Sequence, residues 1–217
     1  MGLPEWARQA RSTWRYRGQE RPPFAELPGP GQESVWDYPR PPGMVSDGRE
    51  VIVRVGAHEI ARSKRSVRLL ETASPPTFYV PSDDVRTEFL EMETRTSRCE
   101  WKGEAHYWSV ILPGHRVNAA AWSYANPLPG YERIRGYFAF YPAVLACSVD
   151  AVPVVAQPGR FYGGWVTPEV VDPSRVSPDR RAGDSDRAGA AAGMCQVQDF
   201  MILGAAFIAG IQMVTRS

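Results

Sequence analysis

The stretch that decides the fold is "REVIVRVGAHEIARSKRSVRLLET", residues 49–72. Val51, Val53 and Val55 alternate with other side chains, and this period of two places them on one face of a β-strand. The segment "GAHE", residues 56–59, predicts a turn that leads into a second strand. The pattern therefore predicts that β-structure begins here and forms most of the domain.

Short predicted strands continue along the chain, each bounded by turn residues: "SVRLLET" (66–72), "TFYV" (77–80), "AHYWSVIL" (105–112), "NAAAWSY" (118–124), "GYFAFY" (136–141) and "LACSV" (145–149). The Pro75–Pro76 pair is expected to break the chain between the first two. "VDAVPVV", residues 149–155, predicts a hairpin, although Ala151 stands where glycine suits a primed turn better. We expect a mostly β fold with a small antiparallel core, as a sandwich, a barrel or a tent-like pair of sheets.

One short helix is expected in "PSDDVRTEFL", residues 81–90. Ser82, Asp83 or Asp84 can cap its amino end. Val85, Phe89 and Leu90 would then face inward.

The composition divides the chain into three parts. Residues 1–34 are rich in arginine and proline and form an N-terminal strap, and residues 35–172 form the β domain. Residues 173–217 are a divergent tail, in which a disordered linker precedes the short apolar helix expected from "FMILGAAFIAGIQMV", residues 200–214. This run is shorter than the roughly 20 residues that cross a bilayer, so we expect no membrane span.

The charge and cysteine content bound the partners and the compartment. The 25 basic residues nearly balance the 24 acids, which argues against binding to a nucleic acid polymer. Cys99, Cys147 and Cys195 form no C-x-x-C pair, so neither a zinc site nor a disulfide framework is predicted. With free thiols and no apolar leader at the amino terminus, a cytoplasmic protein is expected.

Several ordered blocks of the chain resemble a bacterial domain family of unknown function that is sometimes labelled nucleotidyltransferase-like. The blocks are "SVWDYPRPP" (34–42), "ARSKRSVRLLETASPPTFYVPSDDV" (61–85), "CEWKGEAHYW" (99–108), "AWSYANPLPG" (121–130), "GYFAFYP" (136–142) and "QPGRFYGGWVTPEVV" (157–171). The resemblance covers about residues 35–171. It implies a small, mostly antiparallel β domain of tent-like form, with aromatic and polar residues lining a cleft.

The residues themselves also predict an aromatic cleft that binds a small planar anionic ligand, such as a nucleotide-like molecule. The predicted ligand-binding residues are Tyr79, Asp83, Lys102, Trp122, Tyr124, Tyr141 and Trp165. The rings would pack on the ligand and Lys102 would pair with its anionic group. Asp83 would accept hydrogen bonds or only cap its helix, and the rings could instead fill the core.

Two other classes of function stay open, and no cofactor can be named. The first is a nucleotidyltransferase-like enzyme, although the D-x-D triplet at Asp184 and Asp186 lies in the tail and no glycine-rich phosphate loop is present. The second is a protein-interaction module whose exposed rings form an interface, for example in a homodimer.

Two kinds of reactive site are possible but are not predicted. Cys99 could act as a nucleophile beside Lys102 or His106, but a small buried side chain is the simpler interpretation. His58, His106 and His115 are scattered without the close spacing of metal ligands, so no metal site is predicted.

Overall fold

The computed structural model describes residues 3–158 and 162–172. These residues form one α-helix, α1 (Glu5–Ser12), together with short 3₁₀ turns and fifteen strands. The strands are β1 (Glu33–Ser34), β2 (Gly43–Asp47), β3 (Val51–Val55), β4 (His58–Ser63), β5 (Ser66–Glu71), β6 (Ser74–Val80), β7 (Leu90–Cys99), β8 (Gly103–Leu112), β9 (His115–Ser123), β10 (Phe138–Phe140), β11 (Ala146–Val149), β12 (Val152–Pro153), β13 (Val155–Ala156), β14 (Trp165–Val166) and β15 (Val170–Val171).

Two antiparallel sheets contain most of the strands of the described chain. The larger has seven strands in the order β2-β5-β6-β10-β9-β8-β7, and the smaller has four in the order β12-β11-β3-β4. Two further pairs join β1 to β15 and β13 to β14. The predicted fold class, mostly β with a small antiparallel core and one short helix, is confirmed.

The stretch at residues 49–72 folds largely as its pattern predicts, but β-structure does not begin there, because β1 and β2 precede it. Strands β3 and β4 form a hairpin in which Val55 pairs with His58. Gly56 occupies the left-handed region at φ +55°, which this tight turn requires. Val51 and Val53 are fully buried, because they face the core between the two sheets.

The Pro75–Pro76 pair does not separate two strands as expected, because both prolines lie inside β6. The turn comes earlier, at Thr72 and Ala73, where Ala73 has φ +67°. Leu69 pairs with Thr77 and Glu71 pairs with Ser74, so the two prolines oppose a single residue. Proline cannot donate to a sheet ladder, and a bulge accommodates it.

The helix expected at residues 81–90 is wrong. The segment contains two 3₁₀ turns, Ser82–Asp84 and Thr87–Phe89, and Leu90 already starts β7. The Asp84 carboxylate accepts hydrogen bonds from Ser63 Oγ and Arg65 Nη2, both at 2.6 Å, and does not cap a helix. Tertiary contacts have therefore replaced the local capping that the sequence suggested.

The hairpin predicted around Ala151 is confirmed, since Val149 pairs with Val152 across a two-residue turn. Asp150 and Ala151 have φ values of +47° and +63°. Both residues therefore occupy the left-handed region that a primed turn demands, and Ala151 adopts it without being glycine.

The core lies between the two sheets. On the seven-stranded sheet its side chains define what we call the core face, which includes Phe78, Val80, Val110, Ala121, Phe138 and Phe140. Val51, Ile60 and Cys147 face them from the four-stranded sheet. Trp165 belongs to this core, fully buried, with its ring centroid 5.0 Å from that of Phe78.

A smaller cluster attaches the first thirty-odd residues to the sheets. Tyr16 and Phe24 pack edge-on against Trp36 at ring distances of 5.7 and 5.4 Å. The α-helix of the described chain lies in this segment and not at residues 81–90. No helix in residues 3–158 or 162–172 is long and apolar enough to cross a membrane. The linker and apolar helix expected in residues 173–217 lie outside the described residues, and the domain boundaries stay predictions.

Candidate functional site

The second face of the seven-stranded sheet, which we call the aromatic face, carries a row of rings. Strand register aligns Val67, Tyr79, Ala139, Trp122 and Tyr107 across five strands. Side chains alternate along a strand, so these residues lie on the face opposite the core. Tyr79 and Trp122 meet edge-to-face at 6.3 Å, and the Trp122 indole donates to the Tyr79 hydroxyl at 3.3 Å.

Two further predicted ligand-binding residues join this row. The Tyr124 ring lies 6.4 Å from that of Tyr79, and the Tyr141 ring lies 4.5 Å from that of Trp122. Tyr79, Trp122 and Tyr124 are buried within the chain itself, whereas Tyr141 is half-buried. The structure therefore brings together four of the seven predicted residues.

Lys102 is placed by the turn that joins β7 to β8. Cys99 pairs with Gly103, so Glu100, Trp101 and Lys102 form a three-residue turn. Gly103 closes it at φ +99°, and a Cβ there would stand 3.3 Å from Leu128 Cγ. The Lys102 carbonyl accepts a hydrogen bond from the Leu128 amide at 2.9 Å, which fixes the turn against the loop after β9.

Four charged side chains gather near this turn, and we call Arg40, Glu71, Glu100 and Lys102 the charge cluster. Arg40, Glu100 and Lys102 are only 4%, 5% and 8% exposed. The Arg40 guanidinium lies 3.5 Å from Glu71 and donates to the Thr72 carbonyl at 2.6 Å. Charged side chains are rarely buried to this degree unless they are paired.

The pKa of Glu100 is raised above its ordinary value of 4.5, mainly because the carboxyl is buried and next because Glu71 is nearby. The positive charge of Lys102 and a hydrogen bond from Trp14 oppose this rise. Glu100 therefore takes up a proton at a higher pH than an exposed glutamate does. With Glu100 protonated, the charge cluster holds two cations and one carboxylate.

An N-terminal segment and a loop cover the charge cluster. The Trp14 indole donates to Glu100 Oε1 at 3.1 Å, and the Arg40 guanidinium carbon lies 3.6 Å from the centre of the Trp14 ring. Arg11 donates to the carbonyls of Glu100 and Trp101 at 2.8 and 3.2 Å. Tyr131, from the loop after β9, donates to the Pro42 carbonyl at 3.1 Å.

The structure does not bring Asp83 and Trp165 to this site. Asp83 is exposed and lines a separate shallow pocket of about 250 Å³, together with charged residues that include Arg62 and Arg86. Trp165, from β14, packs against the core face, and its indole donates to the Phe140 carbonyl at 3.0 Å.

The two described cysteines are buried, and the histidines are exposed or half-buried. Cys99 is buried with its sulfur 3.8 Å from Glu100 Oε2, and burial raises the pKa of the Cys147 thiol in the core. His58 and His115 are exposed, and His106 is half-buried. Within the described ranges no three histidine, cysteine or acidic side chains are grouped to hold a metal ion. Cys195, Asp184 and Asp186 lie outside those ranges.

Sequence reasoning missed Glu100, Arg40, Glu71 and Trp14. A signal for Glu100 exists, since an acid and a lysine flank Trp101 in a segment that glycine marks as a turn. The other three come from segments far apart in the chain. Only the tertiary fold brings them together.

Residues 43–154 match the model of the NTP_transf_9 family, which is described as a domain of unknown function (DUF427). The matched region includes three members of the charge cluster and ends before Trp165. Arg40 and Trp14 precede it. No curated protein matches the chain.

Proposed function

We propose that this chain, which belongs to the NTP_transf_9 family of unknown function, binds a small ligand with a planar ring and an anionic group at the charge cluster. The observation that carries this proposal is the burial of Lys102 and Glu100 in one turn beside the aromatic face. Ligand sites typically combine apolar walls with a few convergent polar groups. Here the rings supply the walls and the turn supplies the polar groups.

Burying these charges opposes folding, which is a reason to look for a role in binding. Moving a charged group out of water costs several kcal/mol, and a buried ion pair often stabilises a protein no better than apolar side chains would. Arg40 is compensated by Glu71 and the Thr72 carbonyl. The perturbed pKa of Glu100 in a covered site is typical of functional groups.

Each residue has a role in the proposed complex. Lys102 pairs with the anionic group of the ligand, because it is the cation held at the turn. Glu100 accepts a hydrogen bond from the ligand or takes up a proton, which leaves an excess of positive charge for an anion. Trp101 and Tyr124, which pack in the same buried cluster as the rings of the aromatic face, contact the planar group, and stacking of this kind contributes about 1–3 kcal/mol per ring.

Of the residues predicted from sequence, Tyr79, Trp122 and Tyr141 continue the aromatic face away from the turn. Their contact with a ligand stays a prediction. Asp83 and Trp165 have no place in the proposed site because of their positions in the fold.

Thermal-shift and calorimetric titration test the proposal with a panel of nucleoside monophosphates and carboxylated nitrogen heterocycles. The chain has two lysines, Lys64 and Lys102, which gives a matched pair of variants. We expect at least one compound of the panel to bind, and Lys102→Ala to weaken it at least tenfold. Lys64→Ala should leave its affinity unchanged, since Lys64 is exposed in the turn between β4 and β5.

The opposite results discriminate between functions. Absence of binding across the panel would contradict the proposal, as would equal losses for the two lysine variants. The name of the family favours nucleotidyl transfer as a second candidate. Magnesium-dependent turnover of a nucleoside triphosphate, lost in Lys102→Ala and kept in Lys64→Ala, would support that enzyme.

A further inference from the structure

We propose that Trp14 is an internal occupant of the ring-binding position in this site, and that the ligand displacing it is a planar nitrogen heterocycle with a ring N–H donor. This inference rests on the proposed function for the location of the ligand. It adds the chemical class of the ring and the segment of the chain that must give way.

The surroundings of Trp14 are those of a bound heterocycle. A guanidinium, that of Arg40, lies 3.6 Å from the centre of the ring, and a carboxyl oxygen of Glu100 accepts the ring N–H at 3.1 Å. A cation on the ring face attracts any aromatic system. The acceptor at the edge is selective, because a ring without an N–H would leave the buried Glu100 oxygen without its donor.

The helix that precedes Trp14 buries few apolar side chains. Helix α1 is eight residues long and buries only Ala7 and Ala10. Among the described residues no side chain caps its amino end. Helices of this length are marginal in water, so most of their stability must come from packing. Segments with few buried apolar contacts open at the lowest free energy.

Arg11 makes the main polar attachment of α1. Its guanidinium donates to the Glu100 and Trp101 carbonyls, and it lies 4.7 Å from the centre of the Trp101 ring. All these acceptors belong to the turn that carries Lys102. Displacement of α1 would therefore uncover the ring position and the Lys102 turn in one movement, while the strands keep their pairing.

Binding of free indole rings to the full chain tests the inference. Indole and 1-methylindole are the probes, since they differ in the ring N–H. We expect Trp14→Ala to bind indole at least tenfold more tightly than the wild-type protein does, because no internal ring competes. Indole should bind this variant at least fivefold more tightly than 1-methylindole does.

Hydrogen exchange in the wild-type protein separates displacement from simple cavity filling. At saturating indole, amides of residues 5–14 should exchange faster, while those of β3 and β4 remain unchanged. Arg8→Ala is the matched control on α1, because Arg8 is exposed and pairs within the segment with Glu5. It should bind indole as the wild-type protein does.

The opposite outcomes overturn the inference. These are equal indole affinity in Trp14→Ala and wild type, equal affinity for the two probes, or indole binding with unchanged exchange in residues 5–14. If Trp14→Ala does not fold, Trp14→Phe replaces it, because it keeps a ring and removes the N–H. This variant should also bind indole more tightly than wild type.

The experiments distinguish failure of the inference about Trp14 from failure of the proposed function. One outcome is that a compound of the nucleotide and heterocycle panel binds in a Lys102-dependent way while the amides of residues 5–14 stay protected from exchange. That result would overturn only the role of Trp14. Exchange of indole for Trp14 without any effect of Lys102→Ala on the acidic panel would contradict the anion site and leave the ring position standing.

Discussion

The two faces of the seven-stranded sheet are built from different chemistry. The core face presents valine, alanine and phenylalanine side chains to the four-stranded sheet, with Trp165 fully buried among them. The aromatic face presents tyrosine and tryptophan, and next to it lie the buried charges of Arg40, Glu100 and Lys102. Apolar packing explains the first face by itself. The second lies beside buried charges, whose burial apolar packing does not explain.

The difference teaches where stability and function are to be sought. Each apolar side chain on the core face contributes to folding in proportion to the area it buries. The charge cluster brings a desolvation cost that a well-packed apolar set would avoid. Substitutions on the core face should therefore reduce stability, and substitutions in the charge cluster should mainly change binding.

The largest expected effect is on the core face. Trp165→Ala should reduce the free energy of unfolding by about 3–5 kcal/mol, because it leaves a cavity beside Phe78 and removes the donor to the Phe140 carbonyl. Urea denaturation measures this loss. At a temperature where the variant is folded, its ligand affinity should remain within twofold of wild type.

A different result for Trp165 would contradict the distinction between a stabilising face and a binding face. A large loss of affinity in the folded variant would place Trp165 in the binding site after all. Trp165→Phe, which keeps most of the volume, serves as the control if the alanine variant does not fold.

The next effect concerns the packing of the aromatic face. A Cβ on Gly163 would overlap the Trp122 ring, with Cζ3 at 2.7 Å, and would lie 3.3 Å from Tyr141. Gly163→Ala should therefore reduce the free energy of unfolding by about 1–3 kcal/mol, as overpacking does. Gly48→Ala is the matched control, because the nearest atom to its Cβ is 4.0 Å away. A Gly163 variant as stable as this control would show that the Trp122 end of the face is loosely packed.

The smallest expected effect is the pH dependence that Glu100 contributes. Because burial raises its folded-state pKa, ionised Glu100 opposes folding at neutral pH, and this opposition is lost as pH falls through the raised value toward 4.5. The stability advantage of Glu100→Gln over the wild-type protein should therefore grow as the pH rises from acidic to neutral. Unfolding measured from pH 4 to 8 tests this.

Glu132→Gln is the control of opposite sign, because backbone hydrogen bonds lower the pKa of the Glu132 carboxyl. This variant should lose stability relative to wild type as the pH rises. An advantage of Glu100→Gln that grows toward acidic pH would contradict the direction of the pKa shift.

Much of the fold could be predicted because its strands obey local rules. Alternation at Val51 and Val53, and turn residues such as Gly56, specify hairpins without knowledge of the partner strands. The exceptions are places where distant contacts decide. Asp84 suggests a helix cap from sequence, yet it binds Ser63 and Arg65, and the prolines of β6 are accommodated by a bulge that only the register with β5 reveals.

The candidate site was less predictable because several segments build it. Lys102 and the rings at Tyr79, Trp122 and Tyr124 could be selected from their positions near strand ends. Sequence could not separate Trp165 from them, since a two-residue strand has no measurable period. Nor could it join Arg40 and Trp14 to Glu100, because more than eighty residues separate Trp14 from Glu100 along the chain.

The ligand affinity of Lys102→Met, measured beside that of Lys64→Met, tests the central claim most directly. Methionine fills a similar volume without the charge, and the raised pKa of Glu100 allows its carboxyl to take up a proton when the nearby positive charge is removed. We predict at least a tenfold loss of affinity for the best compound of the panel, with the free energy of unfolding within about 1.5 kcal/mol of wild type. Unchanged affinity, or a loss of about 3–5 kcal/mol in stability as for a broken structural ion pair, would contradict the assignment of this face to binding.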